Sequence, residues 1–185
     1  MVNDVIDELK SDMAKTVDRL KGELGRVRTG RASVALLDGL RVDYYGVPTP
    51  LSQVASLQVA DARLIVIKPW EKSMVPAVEK AIQQSDLGLN PNSDGETIRL
   101  PVPPLTEDRR RDLVKMVKRL GEEHKVIIRG QRRDANEMLK ALEKDKEVSE
   151  DDSRKGQTRV QEVTDAHSKL VDDLITKKEA EIMEV

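Results

Sequence analysis

The chain has 185 residues, 36% of them charged (32 Lys and Arg against 34 Asp and Glu), 38% hydrophobic and 2% aromatic, with no Cys, no Phe, one Trp and two Tyr. That length holds one or two domains, at about 100–200 residues each. Lack of cysteine excludes a disulfide scaffold and thiolate zinc or iron–sulfur sites. No apolar run approaches the roughly 20 residues a membrane helix needs. No basic-then-apolar leader with a small-residue cleavage site opens the sequence, so a cytoplasmic protein is expected. High charge with few aromatics also suits disorder, but Leu, Val, Ile and Met are too regularly spaced for it.

In chain order, the first element is a helix. Val2, Ile6, Leu9, Met13, Val17, Leu20, Leu24 and Val27 step by three or four and make one apolar stripe, ending near Arg28. All eight prolines then fall between Pro48 and Pro104, which bars long helices there and permits them on either side. Within this middle, Leu40–Tyr44 and Arg63–Ile67 alternate as strands, and Ser56–Val59 and Thr97–Leu100 do so more weakly. Ser73 is expected to cap a helix reaching about Ser85, with Pro76 tolerated in its first turn. Thr106 is a cap for a second long helix, with Glu107 and Asp108 in its first turn. Its stripe is read as Leu113, Val117, Leu120, His124, Ile127, Gln131, Ala135, Met138 and Leu142. Ser149, followed by Glu150, Asp151 and Asp152, starts a third helix with Val160, Val163, His167, Leu170 and Leu174 inward.

Such narrow stripes are not stable alone in water, so three long helices are expected to pack at shallow angles. Helices of about 28, 40 and 36 residues would make a rod roughly 40–60 Å long; a coiled-coil oligomer is the rival. The short link at Lys146–Ser149 calls for an antiparallel hairpin of the second and third helices. The fold class is therefore α+β: residues 1–29 plus 106–185 form a long three-helix bundle, and 30–105 an inserted small α+β domain. Thr29, Gly30, Pro103, Pro104 and Leu105 form the two connections, a hinge of limited freedom in which Gly30 is permissive and the proline pair stiff.

Charge is unevenly divided. Residues 105–146 carry 13 basic and 9 acidic groups, net +4, whereas 147–185 carry 6 and 11, net −5. With the second helix's stripe placed at heptad positions a and d, Arg111, Lys118, Lys125 and Arg132 fall at b, Arg129 at f and Arg133 at c, all outward. A basic line on a helix is ordinarily a solvated face. Arg129, Arg132 and Arg133 lie within one turn with no acidic residue among them, and guanidinium forks suit phosphates, so RNA, DNA or an acidic protein is implied. Few aromatics argues against base stacking and for recognition of shape and phosphate.

Catalytic constellations are missing from the sequence. His124 and His167 are the only natural bases, and both sit at inward stripe positions where a core histidine is the simpler reading; a metal site would need a third ligand. There is no Gly-x-x-x-x-Gly-Lys-Ser/Thr loop. The expectation is a non-enzymatic protein with no cofactor, no metal and no catalytic residue.

Several strings together carry a resemblance: Arg28-Thr29-Gly30-Arg31-Ala32-Ser33, Tyr44-Tyr45-Gly46-Val47-Pro48-Thr49-Pro50-Leu51, Ser85-Asp86-Leu87-Gly88-Leu89-Asn90-Pro91, Pro103-Pro104-Leu105-Thr106-Glu107-Asp108-Arg109-Arg110, Arg132-Arg133-Asp134-Ala135-Asn136 and Ser149-Glu150-Asp151-Asp152. The chain resembles the bacterial ribosome recycling factor family over nearly its whole length, with Asp108 where the family usually has Glu. The resemblance implies an L-shaped pairing of a three-helix bundle with a small β/α/β domain. It implies binding to the large subunit of the post-termination ribosome through 23S rRNA, and splitting of the subunits with elongation factor G, which hydrolyses the GTP. Family rRNA contacts carry over to Arg129 and Arg132 first, then to Arg28, Arg110 and Arg133; the basic line adds Lys118 and Lys125. A monomer with no membrane and no small-molecule substrate is expected. The competing function is a helical adaptor whose arginines meet an acidic protein.

Overall fold

The computed structural model describes Met1–Glu184. Among the described residues five α-helices and six strands follow one another: α1 (Val2–Gly25), β1 (Arg41–Tyr44), β2 (Val47–Pro50), α2 (Leu51–Val54), β3 (Ala55–Asp61), β4 (Leu64–Pro69), α3 (Val75–Gln83), β5 (Asn92–Ser93), β6 (Ile98–Pro101), α4 (Glu107–Lys144) and α5 (Glu150–Met183). Two compact units divide the chain: Met1–Leu24 with everything from Asp112 onward, and Gly25–Arg111.

The first unit is built from α1, α4 and α5. Gln131 meets Asp12 and Thr16, while His124 lies beside Glu23, so α1 and α4 run antiparallel. Lys118 meets Glu179, Lys125 meets Asp172 and Leu139 lies over Gly156, so α4 and α5 are antiparallel as expected from their short link. Thr106 Oγ1 accepts from Arg109 N at 3.3 Å, and Ser149 Oγ accepts from Asp152 N at 3.1 Å, so both expected caps form.

Burial corrects the heptad frame. On α4 the inward residues are Leu113, Val117, Gly121, His124, Ile128, Ala135 and Leu139. Ile127 and Met138, expected inside, are exposed, and Ile128 and Leu139 take their places. On α5, Leu170 is exposed and Val163 only half-buried, while Ser153, Gly156, Val160, Thr164, Val171 and Ile182 face inward. The reason is the period. Leu113, His124 and Ala135 recur at eleven residues, as do Val117, Ile128 and Leu139; Val160, Val171 and Ile182; and Ile6 and Val17. Eleven residues in three turns is about 3.67 per turn, close to a relaxed helix, whereas a heptad requires 3.5 and a left-handed coil. On α4 a heptad frame still meets the core at His124 and has left it by Ile127. Close approach supplies the rest: a Cβ on Gly121 would stand 2.7 Å from Ile175 Cγ1, and one on Gly156 3.0 Å from Leu139 Cδ1.

In the second unit β1 and β2 form a hairpin, and β3, β4, β6 and β5 form an antiparallel sheet in that order. Leu37, Val42, Leu51, Ile65, Ile67, Val78, Ile82, Ile98 and Leu100 join in its core. All four expected strands are present. The β2 strand is hidden in the sequence by Pro48 and Pro50, which alternate along it, so both missing N–H groups point away from β1 and the pairing survives. Ser73 does not cap α3: it lies inside a 3₁₀ turn at Lys72–Met74, Met74 takes the cap position, and no side chain bonds there. Pro76 sits in the first turn of α3, where its absent N–H costs no bond.

Candidate nucleic-acid interface

Arg129, Arg132 and Arg133 come together on one side of α4. They line a cleft of ≈ 530 Å³ with Asn136, Lys140 and Gln161. Arg129 and Arg133 are exposed. Arg132, expected fully outward, is half-buried, and its Nη1 donates to Gln161 Oε1 on α5 at 3.3 Å. Among the described residues none of the three arginines makes an ion pair, and Glu137 is the carboxylate nearest at hand in the cleft. Asn136 Oδ1 is buried without a partner. The result is a guanidinium cluster in which Arg132 is held against Gln161, Arg129 and Arg133 are exposed, and Glu137 is the acidic residue of the cleft lining.

Further along α4 the basic line has a different fate. Lys118 Nζ lies 3.9 Å from Glu179 Oε2. Lys125 pairs with Asp172 and, at 3.4 Å, with Glu122; the hydrogen bond to Asp172 holds its ammonium above the usual lysine range. These lysines are engaged by the acidic α5, and the helix's net +4 is therefore partly cancelled where they stand.

Arg28 and Arg110 belong to the second unit. Arg28 Nη2 donates to the Pro103 carbonyl at 3.2 Å, while its Nε and that of Arg110 are buried without partners. Burial, then the nearby charge of Arg109, pushes the Arg28 guanidinium below its usual range. The expected hinge residues pack on one another here: a Cβ on Gly30 would lie 3.5 Å from Leu105 N and 3.9 Å from Pro104 Cα. Gly30 has φ +81°, a backbone setting that suits glycine.

The histidines are structural. His124 is buried and its Nδ1 is 2.8 Å from the Leu120 carbonyl; His167 Nδ1 is 2.7 Å from that of Val163. Among the described residues no group of three or more His, Asp or Glu gathers as a metal site would require, and no helix is long and apolar enough to cross a membrane. Sequence reasoning missed Asn136, Lys140, Gln161 and Arg109. Asn136 and Lys140 follow Arg129 and Arg133 at helical spacing and were legible as one face. Gln161 comes from another helix, and only packing brings it in.

Three long helices with an inserted antiparallel α+β unit, and an arginine cluster on the longest helix, define a helical-bundle protein that carries a local basic patch on a chain of net charge −2. A model of the ribosome recycling factor family matches residues 20–183. The chain is 56% identical to the ribosome-recycling factor of Myxococcus xanthus and 54% identical to that of Sorangium cellulosum, each over 185 residues and 100% of both chains. Its structure is similar to a solution structure of the ribosome recycling factor, with a TM-score of 0.79 and 40% identity over 100% of this chain and 98% of the other. It is also similar to the T. thermophilus ribosome recycling factor in a complex with E. coli elongation factor G on the E. coli post-termination complex. There the TM-score is 0.69, with 41% identity over 100% of both chains. The chain belongs to the ribosome recycling factor family, whose members are translation factors rather than enzymes.

Proposed function

We propose that this chain binds the large subunit of the post-termination ribosome by its 23S rRNA and, with elongation factor G hydrolysing GTP, splits the subunits and frees the ribosome from mRNA. The observation that carries the rRNA contact is the unpaired Arg129–Arg132–Arg133 group on a rigid helix. Guanidinium forks bind phosphate oxygens in pairs, and Arg132, already held by Gln161, loses less freedom on binding than a fully exposed arginine. Arg28 and Arg110 supply a second set of contacts, supported by their unpartnered Nε atoms. Lys118 and Lys125, already paired, contribute least. The relative assembled with elongation factor G supports the choice of partner.

A factor of this kind needs no active site. The arginines anchor it, and GTP hydrolysis on the partner supplies the free energy. Thr29, Gly30, Pro103, Pro104 and Leu105 act as the hinge between a bundle of residues 1–29 plus 106–185 and a small domain of 30–105. The chain works as a monomer in the cytoplasm, without cofactor or membrane. Sedimentation with purified large subunits tests the reading: Arg129→Ala with Arg132→Ala should remain in the supernatant where the unaltered chain pellets. Equal pelleting removes these residues from the interface, and binding instead to an acidic protein favours the adaptor.

A further inference from the structure

The chain's three aromatic residues are Tyr44, Tyr45 and Trp70, and the core takes little from them. Tyr44 packs partly against the small unit's core, but Tyr45 is 73% exposed and Trp70 70% exposed. In the β1–β2 hairpin Tyr44 pairs with Val47, leaving Tyr45 and Gly46 as the two-residue turn. Their φ values are +49° and +84°, the left-handed setting that Asn, Asp and Gly adopt readily and a bulky side chain does not. A tyrosine is thus held in a disfavoured backbone with its ring in solvent, and strain of this kind collects at working surfaces.

The ring is held in place. Tyr44 Oη donates to Glu71 Oε1 at 2.7 Å and Tyr45 Oη to Glu71 Oε2 at 2.8 Å, one carboxylate bracing two phenols. The rings meet edge to face with centroids 4.7 Å apart. Asp43 Oδ1 accepts from Gly46 N at 2.7 Å and closes the turn. The Glu71 carboxyl is held below its usual range by the two phenol hydrogen bonds, and no basic side chain contributes. Lys72, next along the chain, pairs with Glu96. Glu71 is thus the charge held directly against the two phenols, whereas Asp43 lines a cleft with Arg41 and Lys80; Val47, 61% exposed, adds an apolar shoulder.

We propose that Tyr44, Tyr45 and Glu71 form a docking site for an arginine presented by a partner protein, with the guanidinium over the Tyr45 ring and its edge toward the Glu71 carboxylate. A planar cation matches the electron-rich ring face. Glu71 keeps acceptor positions after binding both phenols, since an ionised carboxylate has about four. Nucleic acid fits poorly, because its phosphates would meet the Glu71 carboxylate at the rings. The site lies apart from the arginine group of α4 in chemistry and sign, and it does not rest on the ribosomal reading.

The test is a titration of the isotope-labelled full chain, followed by NMR, with a capped Gly-Arg-Gly-Arg-Gly peptide, its citrulline counterpart and oligouridylate. The arginine peptide should shift Tyr44–Val47 and Glu71 saturably, in about the millimolar range. The citrulline peptide, equal in shape but neutral, should bind about fivefold more weakly or worse. Tyr45→Asn should abolish the shifts while leaving Tm unchanged or higher, because Asn accepts the turn's backbone. Four outcomes overturn the proposal: no saturable shift, equal binding of the citrulline peptide, oligouridylate occupying these residues instead, or a Tyr45→Asn Tm lower by more than about 5 °C, which marks the tyrosine as structural.

Discussion

Arg132 is half-buried against α5, its Nη1 on Gln161, so it enters a complex with less freedom to lose than a fully exposed arginine. Loss of a charge-assisted phosphate contact costs about 1.5–3 kcal/mol, and Arg132→Ala should weaken large-subunit binding by about tenfold or more. Its stability should move by about 1 kcal/mol or less, since the guanidinium makes a single neutral hydrogen bond within the fold. Lys118→Ala is the contrasting case. Its ammonium faces Glu179 at 3.9 Å, and its removal should leave binding within about twofold, the scale of one weak surface pair. Sedimentation affinity and thermal melting together check both; equal losses for the two variants would show that total charge, not the arginine group, governs binding.

Helix contacts decide what each glycine does. Gly22 on α1 is exposed, with nothing within 4 Å of an added Cβ, so Gly22→Ala should stabilise by up to about 1 kcal/mol through helix propensity alone. Gly121→Ala gains the same propensity but places Cβ 2.7 Å from Ile175 Cγ1, and overpacking of about 1–3 kcal/mol outweighs the gain. Opposite signs of ΔTm in the two variants are expected, and two increases would mean α5 yields at Ile175. At the start of α5, Ser149 Oγ both accepts from Asp152 N and donates to Asp152 Oδ2 at 2.7 Å. Ser149→Ala should cost about 1 kcal/mol, while Ser149→Gly, which exposes the same N–H groups to water, should cost only a few tenths. Chemical denaturation separates the pair; similar losses would assign the effect to something other than the cap.

For the whole molecule, phosphate binding makes salt the diagnostic variable. Large-subunit affinity should fall log-linearly with salt, at about 0.7–0.9 decades per decade for each phosphate engaged, values that hold for single strands and duplex DNA and guide rRNA. A flat response between low and physiological salt would point to the adaptor instead. Binding and splitting should also separate at the hinge. Gly30 has φ +81° against Leu105 and Pro104, so Gly30→Ala meets no hard clash but disfavours that setting by about 1 kcal/mol. Large-subunit affinity should stay near the unaltered value while splitting with elongation factor G slows. Identical splitting rates would reduce the two links to mere connections.

The sequence by itself determined the division at the prolines, the three long helices, the caps at Thr106 and Ser149, and the grouping of Arg129, Arg132 and Arg133. Each is set within a few residues: a missing N–H, a capping oxygen, or side chains one turn apart. The apolar stripe of α1 was legible too, because Leu9, Met13 and Leu20 are inside and all are large and greasy. Only the tertiary structure decided which side of α4 and α5 is inward, since Gly121, Gly156, Ser153 and Thr164 are buried for their small size and not for their hydrophobicity. It also decided which basic residues stay open: Lys118 and Lys125 meet acids of α5, whereas Arg132 meets Gln161. Those pairings join residues far apart in the chain. Each helix carries its eleven-residue period in its own sequence, but which residue of one helix meets which of the other is set by the packing between them.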